Sequence, residues 1–421
     1  MVGATILYGR IVPKASRRGT IRPKNMAVTK QDFETPTMTL NIGPSHPAMH
    51  GALRTQVELD GEVIVHAASE MGYLHRCFEK HSEHSTYQQV IPYTDRLNYC
   101  SALMNNVGYC KAVEKLLQLK IPDRAIFIRV IMCELSRIMD HFVCIGTNLV
   151  DIGALTNFWF FFNMREKIYT LIEKVAGARL TYAYTRIGGL ARDVYPTFFD
   201  ELKVVLKEVE VAVKDVMGLI QNNRILVDRT VDIGRVSASQ AIDWGFTGPC
   251  LRASGVAHDL RKAEPYYYYN EFDFDVPIAE NGDTYDRIMV RIEEIYQSAR
   301  IVSQAMAKIP GGPVMSDDAR VALPSKEEVY GSIEGLMNHF KLIMHGILPP
   351  RGEVYDATEA ANGELGFYII SDGSMSPYRI KVRPPCFPLF AAFEEIIKGE
   401  MIADAVAIIG TLNIVAGELD R

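Results

Sequence analysis

Two short segments near the start of the chain alternate apolar and polar residues with a period of two, at 38–42 and 55–59. Such alternation is typical of half-buried strands, and the Gly- and Pro-rich stretch between them predicts a strand–loop–strand hairpin. That loop, NIGPSHPAMHG (41–51), contains His46 and His50. Because proline fixes the backbone φ angle, Pro44 and Pro47 are expected to hold both histidines in place. Two interpretations remain open: a reaction site, or a tight turn with two solvated histidines.

Beyond this loop, apolar residues recur mostly at helical spacing. Helices are predicted over residues 70–89, 97–119, 123–149, 196–224, 285–308, 327–345 and 402–409, and segments 367–373 and 379–383 predict a β-hairpin. In the longest helix, Glu134 and Arg137 can pair three residues apart on the face opposite the apolar one. The sequence therefore predicts one mainly α-helical domain of the α+β type over 36–421, with its β-hairpin within 36–66 and helices predominating over 67–421.

The first 31 residues carry seven Lys or Arg residues and no Asp or Glu. Transit peptides have such a composition, and so do flexible basic extensions or residues upstream of a later start at Met26. We expect residues 1–35 to be a flexible basic extension and infer no function from it.

Composition excludes several classes of function. Hydrophobic residues make up 48% and charged residues 23% of the 421 residues, and the net charge of -6 argues against nucleic acid binding. No run of about eighteen uncharged apolar residues predicts a membrane span, and no signal peptide is expected. Without a GxGxxG segment after a strand, we do not expect this chain to bind NAD or FAD.

The seven cysteines form no CxxC pair. This spacing argues against a disulfide framework and against a zinc or iron–sulfur site held by this chain alone. We therefore expect a reducing compartment, and any redox metal to belong to a partner.

Three further residues could take part in chemistry. Asp151 lies beside the most aromatic stretch of the chain, where burial without a partner would raise its pKa toward neutrality. The alternative is a structural aspartate that caps a helix or pairs with an arginine. Tyr99 could donate a hydrogen bond to a carbonyl-type ligand or simply pack, and Arg76 could form a salt bridge or tune an anionic cofactor.

Several ordered segments resemble one protein family over residues 38–421. They are GPSHPAMHGALR (43–54), EMGYLHR (70–76), PYTDRLNY (92–99), DIGA (151–154), LRASGVAHDL (251–260), SDG (371–373) and GELDR (417–421). The chain resembles the D-type (49-kDa) subunit of respiratory complex I, the NADH:quinone oxidoreductase. This family is similar to the large subunit of nickel–iron hydrogenases, so the resemblance implies a central helical bundle with small antiparallel β segments near both ends.

Hydrogenases bind their metal through an early and a late CxxC. Here the early region reads RCFEKH (76–81), with one cysteine, and the closing LNIVAGELDR (412–421) has none. Thiolate ligation needs those cysteines, so the resemblance implies a vacated pocket that, in this family, binds the quinone headgroup.

The resemblance also implies residue roles. His50 and Tyr99 would hydrogen-bond the two quinone carbonyls, and Asp151 would pair with His50. Arg76 would face the terminal iron–sulfur cluster of the neighbouring B-type subunit. Many members carry a histidine near that cluster where this chain has Thr181, so a pH-dependent cluster potential from this position is not expected.

The implied function is quinone reduction coupled to proton pumping, with ubiquinone or menaquinone as substrate. The implied partners are the B-type, C-type and I-type subunits of complex I and its H-type membrane subunit. The implied location is peripheral, on the cytoplasmic face of the bacterial inner membrane, or on the mitochondrial matrix side if the N-terminus is a transit peptide. Two alternatives remain open: the same subunit in a ferredoxin-dependent quinone reductase or related complex, and a non-catalytic assembly scaffold.

Overall fold

The computed structural model describes residues 9–11, 36–221 and 223–421. About half of these residues are helical and the rest include small, mostly antiparallel sheets, so the predicted mixed α+β class is confirmed. The flexible extension predicted at 1–35 lies outside the described residues except for Gly9–Ile11, which pairs in parallel with Val276–Ile278.

The strands are β1 (Gly9–Ile11), β2 (Met38–Ile42), β3 (Arg54–Asp60), β4 (Val63–Glu70), β5 (Thr185–Arg186), β6 (Gly189–Leu190), β7 (Val276–Ile278), β8 (Gly352–Ala360), β9 (Gly363–Ser371) and β10 (Arg379–Arg383). The helices are α1 (Phe78–Glu83), α2 (Tyr87–Thr94), α3 (Ala102–Leu117), α4 (Asp123–Asp151), α5 (Leu155–Ala176), α6 (Phe198–Ile220), α7 (Arg224–Thr230), α8 (Ala238–Asp243), α9 (Gly248–Ala253), α10 (Leu260–Ala263), α11 (Thr284–Lys308), α12 (Lys326–Gly331), α13 (Ile333–Met344), α14 (Cys386–Ala391), α15 (Phe393–Ile397), α16 (Ile402–Leu412) and α17 (Ala416–Leu419). In the described part of the chain, no helix is long and apolar enough to cross a bilayer.

Helix α4 is the axis of the largest apolar core. It packs against α5 and α11, and α6 packs against the same two helices. The apolar positions predicted from helical spacing, such as Ile131, Leu135 and Phe142, are buried in this core. Since a helix rises about 1.5 Å per residue, α4 carries its last residue, Asp151, about 40 Å from its start.

A group of buried charges fixes α4 against its neighbours. We call it the arginine–carboxylate network; it consists of Glu134, Arg137, Arg252, Asp259, Arg261, Glu294 and Glu359, all buried. The predicted pairing of Arg137 with Glu134 is confirmed, with Nε and Oε2 3.3 Å apart. Both side chains lie inside the molecule, however, and not on an outer face.

Two predicted helices are wrong in their bounds. Strand β4 continues to Glu70, so the helix predicted over 70–89 is instead a loop followed by α1 and α2. Gly72 and Cys77 adopt positive φ, which ends any continuous helix, and Thr86 caps α2 through the Gln89 amide at 3.3 Å. The helix predicted over 327–345 is divided into α12 and α13 at Ser332, which has an extended backbone (φ -139°). The Ser332 side chain caps the second helix by accepting a hydrogen bond from the Gly335 amide.

The predicted hairpins form, each with one more strand than expected. Strands β2, β3 and β4 form an antiparallel sheet in which Ile42 lies opposite Thr55, so the histidine loop connects its first two strands. Strands β8, β9 and β10 form a second antiparallel sheet.

Candidate functional site

The histidine loop is a tight, ordered turn that closes on itself. Gly43 has a φ of +93°, and a Cβ built there would lie 1.8 Å from the Leu53 carbonyl oxygen, so no other residue fits. A short 3-10 turn, Pro47–Met49, follows and ends at His50, which adopts the left-handed conformation with φ 57°. The loop therefore fixes the position of His50, as its prolines predict.

His50 is paired with Asp151. His50 Nε2 lies 2.5 Å from Asp151 Oδ2, and the two side chains are 18% and 23% exposed. Asp151 is the last residue of α4, so this contact joins the end of that helix to the histidine loop. The pattern alone suggests a fully buried carboxylate without a partner, or a structural aspartate that caps a helix or pairs with an arginine. The structure instead pairs a partly exposed Asp151 with a histidine.

His46 has a different environment. It is exposed, and its Nδ1 accepts a hydrogen bond from the Ala48 amide at 3.2 Å. This bond caps the 3-10 turn, which is a structural role within the loop.

Tyr99 begins the 3-10 turn Tyr99–Ser101 and is 37% exposed. The preceding residue, Asn98, accepts a bond from the Cys100 amide and donates one to Asp140 Oδ2 at 2.8 Å, which fixes the turn on α4. Burial raises the pKa of the Tyr99 phenol, with a smaller contribution from the Cys100 thiol, while the Arg76 guanidinium opposes it.

Arg76 lies beside Tyr99 in the structure. Its Nη2 donates to the Arg96 carbonyl oxygen at 2.6 Å, and burial followed by the positive charge of Arg96 lowers its pKa. Arg76, His81 and Arg96 contribute to the lining of a cavity of about 250 Å³.

Residues 416–420 consist of the single-turn helix α17 and Asp420, and we call them the 416–420 turn. This turn contacts the segments of both His50 and Tyr99. A Cβ built on Gly51 would lie 3.2 Å from Ala416 Cβ, and a Cβ built on Gly417 would lie 2.6 Å from the Arg96 carbonyl oxygen. The structure thus brings His50 and Asp151 into direct contact, and Tyr99 and Arg76 lie on two other segments that border the same turn.

The sequence patterns missed one buried acid in this turn, Glu418. The Cys386 Sγ donates to its Oε2 at 3.1 Å, and it is 1% exposed. The available signal was a glutamate directly after an apolar run in GELDR, a segment noted only for its resemblance. Within the described ranges, no group of three or more His, Cys, Asp or Glu side chains could hold a metal ion.

Known proteins resemble the chain over most of its length. Residues 151–421 match the family model described as the respiratory-chain NADH dehydrogenase 49 Kd subunit. A protein of Bdellovibrio bacteriovorus, named as the C/D-type subunit of NADH-quinone oxidoreductase, is 58% identical over 91% of this chain and 69% of its own length.

Two relatives named as the D-type subunit of NADH-quinone oxidoreductase are each 50% identical. The one from Myxococcus xanthus covers 92% of this chain and 94% of its own length, and the one from Geobacter sulfurreducens 92% and 99%. The chain therefore belongs to the 49 kDa subunit family of respiratory-chain NADH dehydrogenase, also named the D-type subunit of NADH-quinone oxidoreductase, and is an oxidoreductase subunit.

Proposed function

We propose that this chain is the quinone-binding catalytic subunit of a proton-translocating NADH:quinone oxidoreductase, and that His50 and Tyr99 protonate the quinone headgroup. The observation that carries the proposal is the contact of His50 with Asp151, a partly exposed imidazole–carboxylate pair held by a stiff loop and a helix end. Ubiquinone and menaquinone both have the two carbonyl oxygens that this chemistry needs.

The proton inventory of the reaction explains why two donors are needed. Adding two electrons to a quinone makes both oxygens strongly basic, and each oxygen takes one proton to give the quinol. A donor already placed at each oxygen avoids the cost of bringing a proton from water. Because Nε2 faces Asp151, His50 can release a proton to the quinone from Nδ1, and Asp151 stabilises the charged imidazole until it does so.

Tyr99 suits the second proton. Because burial raises the pKa of its phenol, the hydroxyl keeps its proton until a stronger base lies beside it. A doubly reduced quinone oxygen is such a base. After both transfers the His50 imidazole is neutral, Tyr99 is a phenolate near the Arg76 guanidinium, and Asp151 is an anion without a charged partner. We propose that the change at Asp151 starts the coupling to proton translocation.

The electrons are supplied one at a time by an iron–sulfur cluster of the B-type subunit. Arg76 and Arg96 are suited to the surface that faces this cluster, because two guanidinium groups that line one cavity attract a negatively charged group. The segment that follows Thr181 is held to this region by the Ala183 amide, which donates to Asp95 Oδ2 at 2.9 Å. Threonine does not titrate, so this position gives the cluster no pH-dependent potential.

The chain acts only within an assembly. We propose the B-type, C-type and I-type subunits and the H-type membrane subunit as its partners, with the chain peripheral to the membrane. Its location is the cytoplasmic face of a bacterial inner membrane, or the matrix side of a mitochondrial one.

Replacing His50 with Ala tests the first donor in the assembled complex. Loss of a positioned proton donor typically costs roughly 10²–10⁴-fold in rate, so NADH:quinone reduction is expected to fall by that factor. His46→Ala is the matched control, because it removes the other histidine of the same loop and should change the rate no more than a few-fold. Near-normal activity of the His50 variant would refute the proposal.

Tyr99→Phe tests the second donor, since it removes only the hydroxyl. We expect a fall of roughly 10²-fold in quinone reduction with the complex still assembled. Tyr93→Phe is the control: Tyr93 is in the same segment and is 38% exposed, close to the 37% of Tyr99. Equal rates for the two variants would exclude Tyr99 as a donor.

A further inference from the structure

The 416–420 turn is held on several sides at once. Asp420 accepts from the Gly72 amide at 2.9 Å and the Leu74 amide at 2.8 Å, and the His75 ring donates to its carbonyl oxygen at 2.6 Å. Arg76 donates weakly to the Gly417 carbonyl oxygen at 3.4 Å. Together with the close approach of Gly51 to Ala416, these contacts make the turn the common support of both proposed donor segments.

Glu418 is buried inside this support with its hydrogen bonds incomplete. Its Oε2 accepts from Cys386 Sγ, but within the described residues its buried Oε1 has no partner at hydrogen-bonding geometry, since the nearby Asn362 side chain donates to the Asn413 carbonyl oxygen at 3.0 Å. An ionised carboxylate needs donors at both oxygens when water is excluded. The geometry therefore favours the neutral acid.

Within the described part of the chain, no Lys or Arg forms an ion pair with Glu418, and the charge of Arg383 acts on it only from a distance. Arg383, on β10, uses its guanidinium on the Glu364 and Gly245 carbonyl oxygens at 2.8 and 3.0 Å. Asp140, on α4, adds a negative charge and is itself held by Asn98 and Asn413. The remaining neighbours are the thiols of Cys386 on α14 and Cys100 beside Tyr99, and the Asn362 amide between β8 and β9.

These surroundings change how readily Glu418 ionises. Burial raises its pKa to about 7 and the negative charge of Asp140 adds to this, while the Cys386 thiol, the Arg383 guanidinium and the Asn362 side chain oppose it. Burial also raises the pKa of the Cys386 thiol, so the thiol keeps its proton and remains a donor.

We propose that Glu418 is a positioning residue for quinone reduction: as a neutral acid it holds the 416–420 turn against both donor segments, and its ionisation loosens that turn. The effect on catalysis rests on the proposed function above. Ionisation would leave a buried charge with an oxygen lacking a donor, and the turn would have to open to hydrate it. Gly417 approaches the Arg96 carbonyl oxygen so closely that such a movement also shifts the Tyr99 segment.

The test uses the purified, assembled complex with Glu418→Gln, which has nearly the same shape and is neutral at every pH. Amide hydrogen exchange of a peptide covering 414–421, corrected for intrinsic exchange, is measured at several pH values beside the rate of quinone reduction. In the wild type we expect exchange to rise and kcat to fall several-fold as pH increases through about 7. In the Gln variant both should lose this dependence, while Glu395→Gln, at an exposed site, should behave as wild type.

Exchange in the wild type that does not change with pH would overturn the proposal, and so would an unchanged rate profile in the Gln variant. If the Gln variant fails to assemble, the wild-type exchange measurement still decides. Hydrogen exchange involves no quinone, so it also separates the two proposals. Loosening of the turn with full activity in His50→Ala would refute the proposed donor and leave the ionisation of Glu418 established.

Discussion

Two regions of the molecule hold charged side chains away from water, and they differ in how many partners each charge has. In the arginine–carboxylate network, Arg252 contacts Glu294 at 2.7 Å and Glu359 at 2.8 Å, with every side chain at most 1% exposed. The pair of His50 and Asp151 has one contact and is partly open to solvent.

This difference separates a structural role from a chemical one. A charge with several partners in a dry environment cannot change its protonation or position without breaking the fold. A charge with one partner and access to a ligand can. The candidate site therefore differs from the surrounding scaffold in how many partners each charged side chain has and in whether a ligand can reach it. Residue type distinguishes the two regions less well.

The largest effect on stability is expected from Arg252→Met. The change leaves Glu294 and Glu359 buried without their main cation, and breaking such a pair costs about 3–5 kcal/mol. The subunit should unfold at a markedly lower temperature within the purified complex, or fail to accumulate in it. A Tm equal to wild type would show that the network contributes no structural support.

Asp95→Asn tests a buried carboxylate that forms no ion pair with any of the described residues. Burial raises the pKa of Asp95 to about 6, opposed by its hydrogen bond from Ala183. Because the folded state then binds a proton that the unfolded state has lost, stability falls as pH rises from about 4 to about 6 and is level above that. The span corresponds to about 3 kcal/mol.

The Asn variant should lose the part of this slope that Asp95 contributes, measured as the urea midpoint of the subunit in the complex between pH 4.5 and 7; Asp283, whose pKa burial also raises to about 6, keeps its own part. Asp200→Asn, at an exposed position, is the control and should keep the full slope. A slope in Asp95→Asn equal to that of the wild type would contradict the assignment to Asp95.

Asp151→Asn should affect rate more than stability. A charge-assisted hydrogen bond contributes about 1.5–3 kcal/mol, so quinone reduction should fall by roughly 10–100-fold. Because the site is partly exposed, Tm should change little. A variant that assembles poorly but turns over normally would reverse this assignment.

The smallest effect is expected from Arg300→Ala, which breaks an exposed pair with Asp273. Solvent-exposed ion pairs contribute about 0–1 kcal/mol, so neither Tm nor rate should change appreciably. A loss as large as that of Arg252→Met would show that burial does not separate the two regions.

Several long helices and the loop of His50 were predictable from sequence, because both have strong local signals, whereas helix α5 was not predicted. Helix α4 follows its apolar spacing from Asp123 onward, and the strand–loop–strand around His50 follows from alternation and proline. The pairing of His50 with Asp151 was expected only through the family resemblance, since 101 positions separate them.

The rest depended on tertiary contacts that spacing does not encode. Glu134 and Arg137 have the pattern of a surface pair, yet charges from distant segments allow them to be buried. The predicted helices are interrupted at Cys77 and Ser332 by backbone conformations that cannot be predicted from these residue types. The burial of Glu418 depends on packing of the 416–420 turn against Cys386, which lies 32 positions earlier in the chain.

The most direct test of the central claim is a double-mutant cycle on His50 and Asp151, read out as kcat for quinone reduction in the assembled complex. If the two residues act as one donor, the double variant His50→Ala with Asp151→Asn should be no slower than His50→Ala alone. If the two losses multiply, or if His50→Ala alone retains near-normal kcat, the pair is not the proton donor.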